Sequence, residues 1–148
     1  MYQELTPEVN DNITNLLYDY QQCAMGTINM DGFPEVSKVL AIYYKNNIFL
    51  LLSDLSQHTK NLNNNNNNVC VYFAGEENHK SALNNCRLSV NGTLEKLQLS
   101  TDERNELLEQ FATRDPAATM YGNFGDFNIY HLKEFDSLFI EGFGRAYK

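Results

Sequence analysis

The sequence predicts a mainly β protein, an antiparallel barrel carrying a few peripheral helices. Three observations support this. Apolar residues alternate with period two, or form short unbroken runs, in six or more segments of the 148-residue chain. Tight-turn signals, Asp31-Gly32 and Asn46-Asn47, join the early segments into hairpins. Helical periodicity is confined to the start of the chain, one crossover and one late segment, so the alternation of a βαβ protein is absent.

Thr6-Pro7 reads as an N-cap followed by proline in the first helical position, opening a helix to about Tyr20 with Val9, Ile13, Leu16, Leu17 and Tyr20 on one face. CAMGTINM, the Asp31-Gly32 turn and PEVSKVLAIYY then read as strand, turn, strand, and the second turn leads into IFLLLS. The polar stretch from Ser53 to Leu62 reads as a short helix or helical turn, and Val69–Ala74 as the next strand. Cys86–Leu99 alternates well, and Gly92 within it marks a bulge of the kind that curls a sheet into a barrel. Ser100-Thr101-Asp102-Glu103 is a capping box for a helix running to about Thr113, which Asp115-Pro116 ends. Two last strands fall at roughly Phe127–Leu132 and Ser137–Arg145. The length suits a single domain, 1–148, with an N-terminal helix over 1–22 and the barrel over 23–148. The run Asn63–Asn68 is short enough for a connection inside a domain, and Asn suits helix ends and turns, so it is expected to be ordered.

Composition narrows the function. The net charge of −8 disfavours nucleic acid and anionic membranes unless the eleven Lys and Arg are gathered in one place. The longest apolar stretches, Val39–Tyr44 and Val69–Ala74, are too short to span a membrane, and the first residues lack the apolar core of a secretory signal. The odd cysteine count, Cys23, Cys70 and Cys86 in or beside apolar runs, fits buried thiols in a reducing cytoplasm. Phosphate-loop, dinucleotide, zinc-protease and serine-hydrolase motifs are missing, and His58, His79 and His131 have no metal-ligand spacing. The segment just before the asparagines places Ser56, His58, Thr59 and Lys60 at the start of a helical turn, where free N–H groups, hydroxyls and a cation favour an anion; a polar helix start facing water is the plain alternative. Lys38 interrupts an otherwise apolar strand and Arg87 opens another, either as ligand-facing cations or as long side chains covering apolar surface.

Four blocks, DGFPEVSKVLAIYY, IFLLLSDLSQHTKNL, RLSVNGTLEKL and FGDFNIYHLKEFDSLFIEGFGRAY, together resemble the FMN-binding split barrels of the pyridoxamine 5′-phosphate oxidase-like superfamily, the ending most of all the HugZ-type haem-utilisation branch. The resemblance covers nearly the whole chain after Cys23. It implies a six-stranded antiparallel split barrel that forms a homodimer with two cofactor sites at the interface. It further implies that Ser37, Lys38, Val39 and Leu40 line a flavin, and that Ser53, Ser56, His58, Thr59 and Lys60 hold its phosphate. Arg87 would approach from the other subunit. The implied activity is that of an FMN-dependent oxidoreductase in which the flavin carries the redox chemistry; the alternative is haem binding or haem utilisation. Two departures qualify this. Tyr43 stands where the pyridoxamine phosphate oxidases have a substrate-binding Lys, and their basic C-terminal segment has no counterpart, so vitamin B6 oxidation is not expected. The haem-degrading branch takes its axial His from beyond the barrel, and no His follows His131 here.

Overall fold

The computed structural model describes all residues, 1–148. Helix α1 (Pro7–Asp19) begins as the sequence predicts: the Thr6 hydroxyl accepts a hydrogen bond from the Val9 amide at 3.2 Å, and Pro7 needs no donor there. Val9, Leu16 and Leu17 form its buried stripe. Strands β1 (Gln22–Ile28), β2 (Pro34–Lys38), β3 (Leu40–Tyr44) and β4 (Asn47–Ser53) precede a short helix, α2 (Gln57–Leu62). Strands β5 (Asn68–Ala74) and β6 (Arg87–Lys96) lead to α3 (Thr101–Arg114) and α4 (Ala118–Tyr121), and β7 (Phe127–Gly142) and β8 (Arg145–Tyr147) complete the chain.

The antiparallel sheet has the order β2-β1-β5-β6-β7-β4-β3, with β8 beside β7. Its two end strands, β2 and β3, are separated by Val39 alone. PEVSKVLAIYY, expected as one strand, is therefore a bent strand whose halves pair differently, β2 with β1 and β3 with β4. That corner closes the sheet on itself, since a strand shared by both ends leaves no open path between them. Counting the bent strand once and setting β8 aside gives the six-stranded split barrel.

Other differences from expectation also have physical reasons. The two late strands are one, β7, because its backbone ladder runs on through the polar segment Lys133–Asp136. The bulge announced by Gly92 is there, but the extra residue lies across the ladder: Asn91 pairs with Asp136 and Gly92 with Glu134, leaving Phe135 unpaired. Gly92 is required by close approach, since a Cβ there would sit 2.4 Å from the Lys133 carbonyl oxygen. The second hairpin turns at Lys45 and Asn46, with φ of 49° and 62°, one residue earlier than read. Helix α4 carries no sequence signal of its own. The asparagine run forms the turn that joins α2 to β5. Asn66 and Asn67 take left-handed φ of 54° and 62°, and the Asn67 carbonyl accepts from the Leu94 amide at 2.9 Å.

Two apolar clusters result. A cluster of 21 buried residues fills the barrel and includes Val9, Leu16 and Leu17 from α1 and Tyr20 just after it. A second, of seven, lies outside the barrel wall: Leu107, Leu108, Phe111 and Ala118 of α3 and α4 pack on Ile42, Leu51 and Ile129 of β3, β4 and β7. No helix is long and apolar enough to cross a membrane.

Candidate functional site

The bent strand creates a cavity of about 490 Å³ beside its corner. Lys38, Val39 and Leu40 form one wall, Leu51, Leu52 and Ser53 at the end of β4 a second, and Tyr20, Arg114, Tyr121 and Phe127 a third. Six of the sequence-predicted site residues meet there: Lys38, Val39, Leu40, Ser53, Ser56 and His58. Four do not line it. Ser37 pairs with the fully buried Met25 and, by the alternation of the strand, points to the face opposite Lys38. Thr59 and Lys60 lie further along α2, with Lys60 exposed to solvent. Arg87 is on another part of the sheet, where its Nη1 donates to the carbonyls of Leu83 at 3.2 Å and Asn85 at 3.1 Å.

The lining is mixed: apolar side chains share it with Gln21, Lys38, Ser53, Ser56, His58, Arg114 and Asp115. The Ser53 hydroxyl donates to the Asp126 carboxylate at 2.5 Å and accepts from the Leu55 amide, so its hydrogen-bonding capacity is largely used. His58 and Thr59 differ: the His58 Nε2 and the Thr59 Oγ1 are buried without a partner. Such atoms cost stability unless something satisfies them, and of the two residues only His58 lines the cavity. Burial pulls the His58 imidazole below its ordinary pKa, favouring the neutral ring.

Sequence reasoning missed Arg114, Tyr20 and Tyr121 as wall residues. The Arg114 guanidinium lies 3.7 Å over the Tyr20 ring and donates to the Tyr18 and Tyr20 carbonyls, tying the end of α1 to the end of α3. The Tyr20 hydroxyl donates to the Ala41 carbonyl at 2.7 Å, which braces the bent strand just past its corner. Tyr121 donates to Asp115 at 3.1 Å; burial and that carboxylate both push its pKa up. The sequence reading ends that helix near Thr113 and gives Arg114 no role, and it shows Tyr20 only as the end of an apolar stripe. Cys23, also on the wall, has its thiol pushed up to about 12 by burial and is unreactive as a thiolate.

The bent closing strand, the packing of α1 into the barrel core and the corner cavity define a split β-barrel protein. The chain matches the family model described as the CREG β-barrel over residues 17–148, and it belongs to that family within the split-barrel superfamily. Among known proteins it is similar to the haem oxygenase HutZ of Vibrio cholerae, 20% identical over 147 residues, which cover 99% of this chain and 84% of that protein. The crystal structure of Campylobacter jejuni ChuZ superposes with a TM-score of 0.84 at 19% identity, covering 97% of this chain. A haem-binding protein of Mycobacterium smegmatis gives 0.75 at 19% identity over 86% of this chain. This chain spans 60% and 52% of those two chains.

Proposed function

We propose that the corner cavity binds haem, and that the protein handles haem as a homodimer whose subunits meet on the uncovered part of the barrel. The observation that carries this is the cavity's amphiphilic lining: aliphatic and aromatic side chains with two cations, Lys38 and Arg114, against one carboxylate, Asp115, in a chain whose net charge is −8. A flat apolar ring with acidic arms suits such a site, because the ring is desolvated while the carboxylates keep charged partners. Haem, named for two of the similar proteins above, has that chemistry. His58 is the imidazole on the wall, and its neutral ring suits it to hold the iron. The bound group would supply the redox chemistry, and these residues its binding and orientation.

FMN is a second reading, favoured by one observation: the unpartnered His58 Nε2 and Thr59 Oγ1 near Ser56 could donate to a phosphate. Flavin-dependent oxidoreductase activity would follow from that reading. Titration of the protein with hemin and, separately, with FMN distinguishes the two. Haem binding predicts a Soret band that saturates at one equivalent per chain and shifts in His58→Ala. Saturable FMN binding with no Soret band would reverse the order, and binding of neither would remove both.

A further inference from the structure

Helix α2 has little of its own to hold it. It has six residues, fewer than a helix needs to stand alone, and the Ser56 side chain makes no capping bond. It nevertheless carries Asn61, which at 1% exposed is the most deeply buried polar residue of the chain. A buried carboxamide is costly unless its donors and its acceptor are engaged, and here they are. The Asn61 Nδ2 donates to the Thr27 Oγ1 at 3.0 Å and to the Glu35 Oε1 at 2.8 Å, and the Asn61 Oδ1 accepts from the Gln57 Nε2 at 2.9 Å. A carboxylate only accepts, so the Glu35 side chain fixes which end of the carboxamide faces it.

The two acceptors are paired with each other: Thr27 on β1 faces Glu35 on β2 across the hairpin ladder. Asn61 therefore clamps one rung of that hairpin, and no other side-chain hydrogen bond joins α2 to it. Glu35 forms no ion pair and takes its side-chain hydrogen bond from Asn61. Next to Asn61, the buried Leu62 holds the helix down without fixing its roll, because apolar contact is non-directional. The hydrogen bonds of Asn61 are directional and fix the roll.

Each end of this clamp leads to a wall of the corner cavity. Along α2, His58 precedes Asn61 by about one helical turn, so the roll that seats Asn61 also aims the His58 ring. Along β2, Glu35 lies just before Lys38, where the strand bends. Strand β2 has a hydrogen-bonding neighbour on one side only, β1, and the clamp gives it a second hold. We propose that Asn61 is the positioning residue of the corner cavity: by locking α2 to the Thr27–Glu35 rung it sets His58 against Lys38, and so the gap in which a ligand is held. This rests on the ligand-binding reading above. Asn61 does not line the cavity, so it acts through the placement of His58.

Exchanging the two groups tests the proposal. Asn61→Asp removes both donated bonds and sets a carboxylate against that of Glu35. In titrations with hemin and with FMN it should bind about tenfold more weakly than the wild type, with an unchanged circular dichroism spectrum. Adding Glu35→Gln restores a carboxamide–carboxylate pair of reversed polarity, and the Thr27 hydroxyl turns to donate. The double variant should recover to within about threefold of the wild type. Glu35→Gln alone keeps an acceptor oxygen opposite Asn61 and should leave affinity unchanged to within the same factor. Wild-type affinity in folded Asn61→Asp, or a loss that Glu35→Gln does not restore, overturns the proposal. Where Asn61→Asp does not fold, Glu35→Ala on the half-buried end strand removes one acceptor only and should weaken binding about threefold; unchanged affinity there overturns the proposal too. If the wild type binds neither hemin nor FMN, the functional reading fails and the clamp is judged without ligand. Of the three histidine ring signals in the proton NMR spectrum, that of His58 should then move toward the position of an exposed imidazole in whichever of Asn61→Asp and Glu35→Ala is folded. A His58 signal that stays in place overturns the positioning role.

Discussion

The two halves of the barrel's outer face solve the same problem differently. Over β3, β4 and the start of β7 the chain covers its own sheet: Ile42, Leu51 and Ile129 point outward into α3 and α4. Over β2, β1, β5 and β6 the outward residues include Ala24, Gly26, Cys70 and Ala74, which stay part-exposed, and α3 and α4 pack on the other half. Large branched side chains make the ridges that a helix can grip, whereas small ones leave a flat surface that another sheet can approach closely. The half that carries its own helices is finished within one chain. The bare half leaves a flat, partly apolar surface, which the proposed second copy would bury, and the corner cavity opens at its border.

Substitutions on each half should therefore fail in different ways. The largest effect is expected on the covered half: Phe111→Ala removes a fully buried ring and should cost about 3–5 kcal/mol in urea unfolding followed by circular dichroism. A loss below about 1 kcal/mol would mean that α3 is not integral to the fold. Next comes Gly92→Ala, where the added methyl meets the Lys133 carbonyl and should cost about 2 kcal/mol by displacing the bulge that presents Phe135. On the bare half, Tyr72→Arg should change protomer stability by no more than about 0.5 kcal/mol while halving the mass measured in solution. A dimer that survives this change would move the interface elsewhere.

The smallest expected effect is a pH dependence at the cavity. Burial lowers the His58 pKa in the folded state, so the unfolded chain binds the extra proton first. Stability should thus fall as pH drops below the ordinary imidazole value of about 6.5, levelling off once the folded-state pKa is passed. His58→Gln should flatten that decline in urea midpoints measured across the same window, and an unchanged slope would show that another group titrates there.

How much of this was legible depended on the range of each signal. The helix caps at Thr6 and Ser100 were readable because their partners lie three residues away. The bulge was readable from Gly92 as a break in alternation, but not its owner, Phe135, which lies 43 residues further along the chain. Lys38, Val39, Leu40, Ser53, Ser56 and His58 could be proposed because they flank strand ends in recognisable blocks. Arg114 and Tyr121 could not, since α3 and α4 reach the cavity only by packing on the outside of the wall.

The sequence by itself determined the local conformations: where strands alternate, where asparagines permit left-handed turns, and which helix ends are capped. These are set by sterics and hydrogen bonds among residues close in the chain. The tertiary structure alone decided that PEVSKVLAIYY bends at Val39 to close the barrel, because each half takes its hydrogen-bonding partner from a different part of the chain. It also decided which half of the wall is covered and which is bare. That choice depends on where α3 comes to rest, and burial of apolar surface between distant segments has no signature in either segment alone.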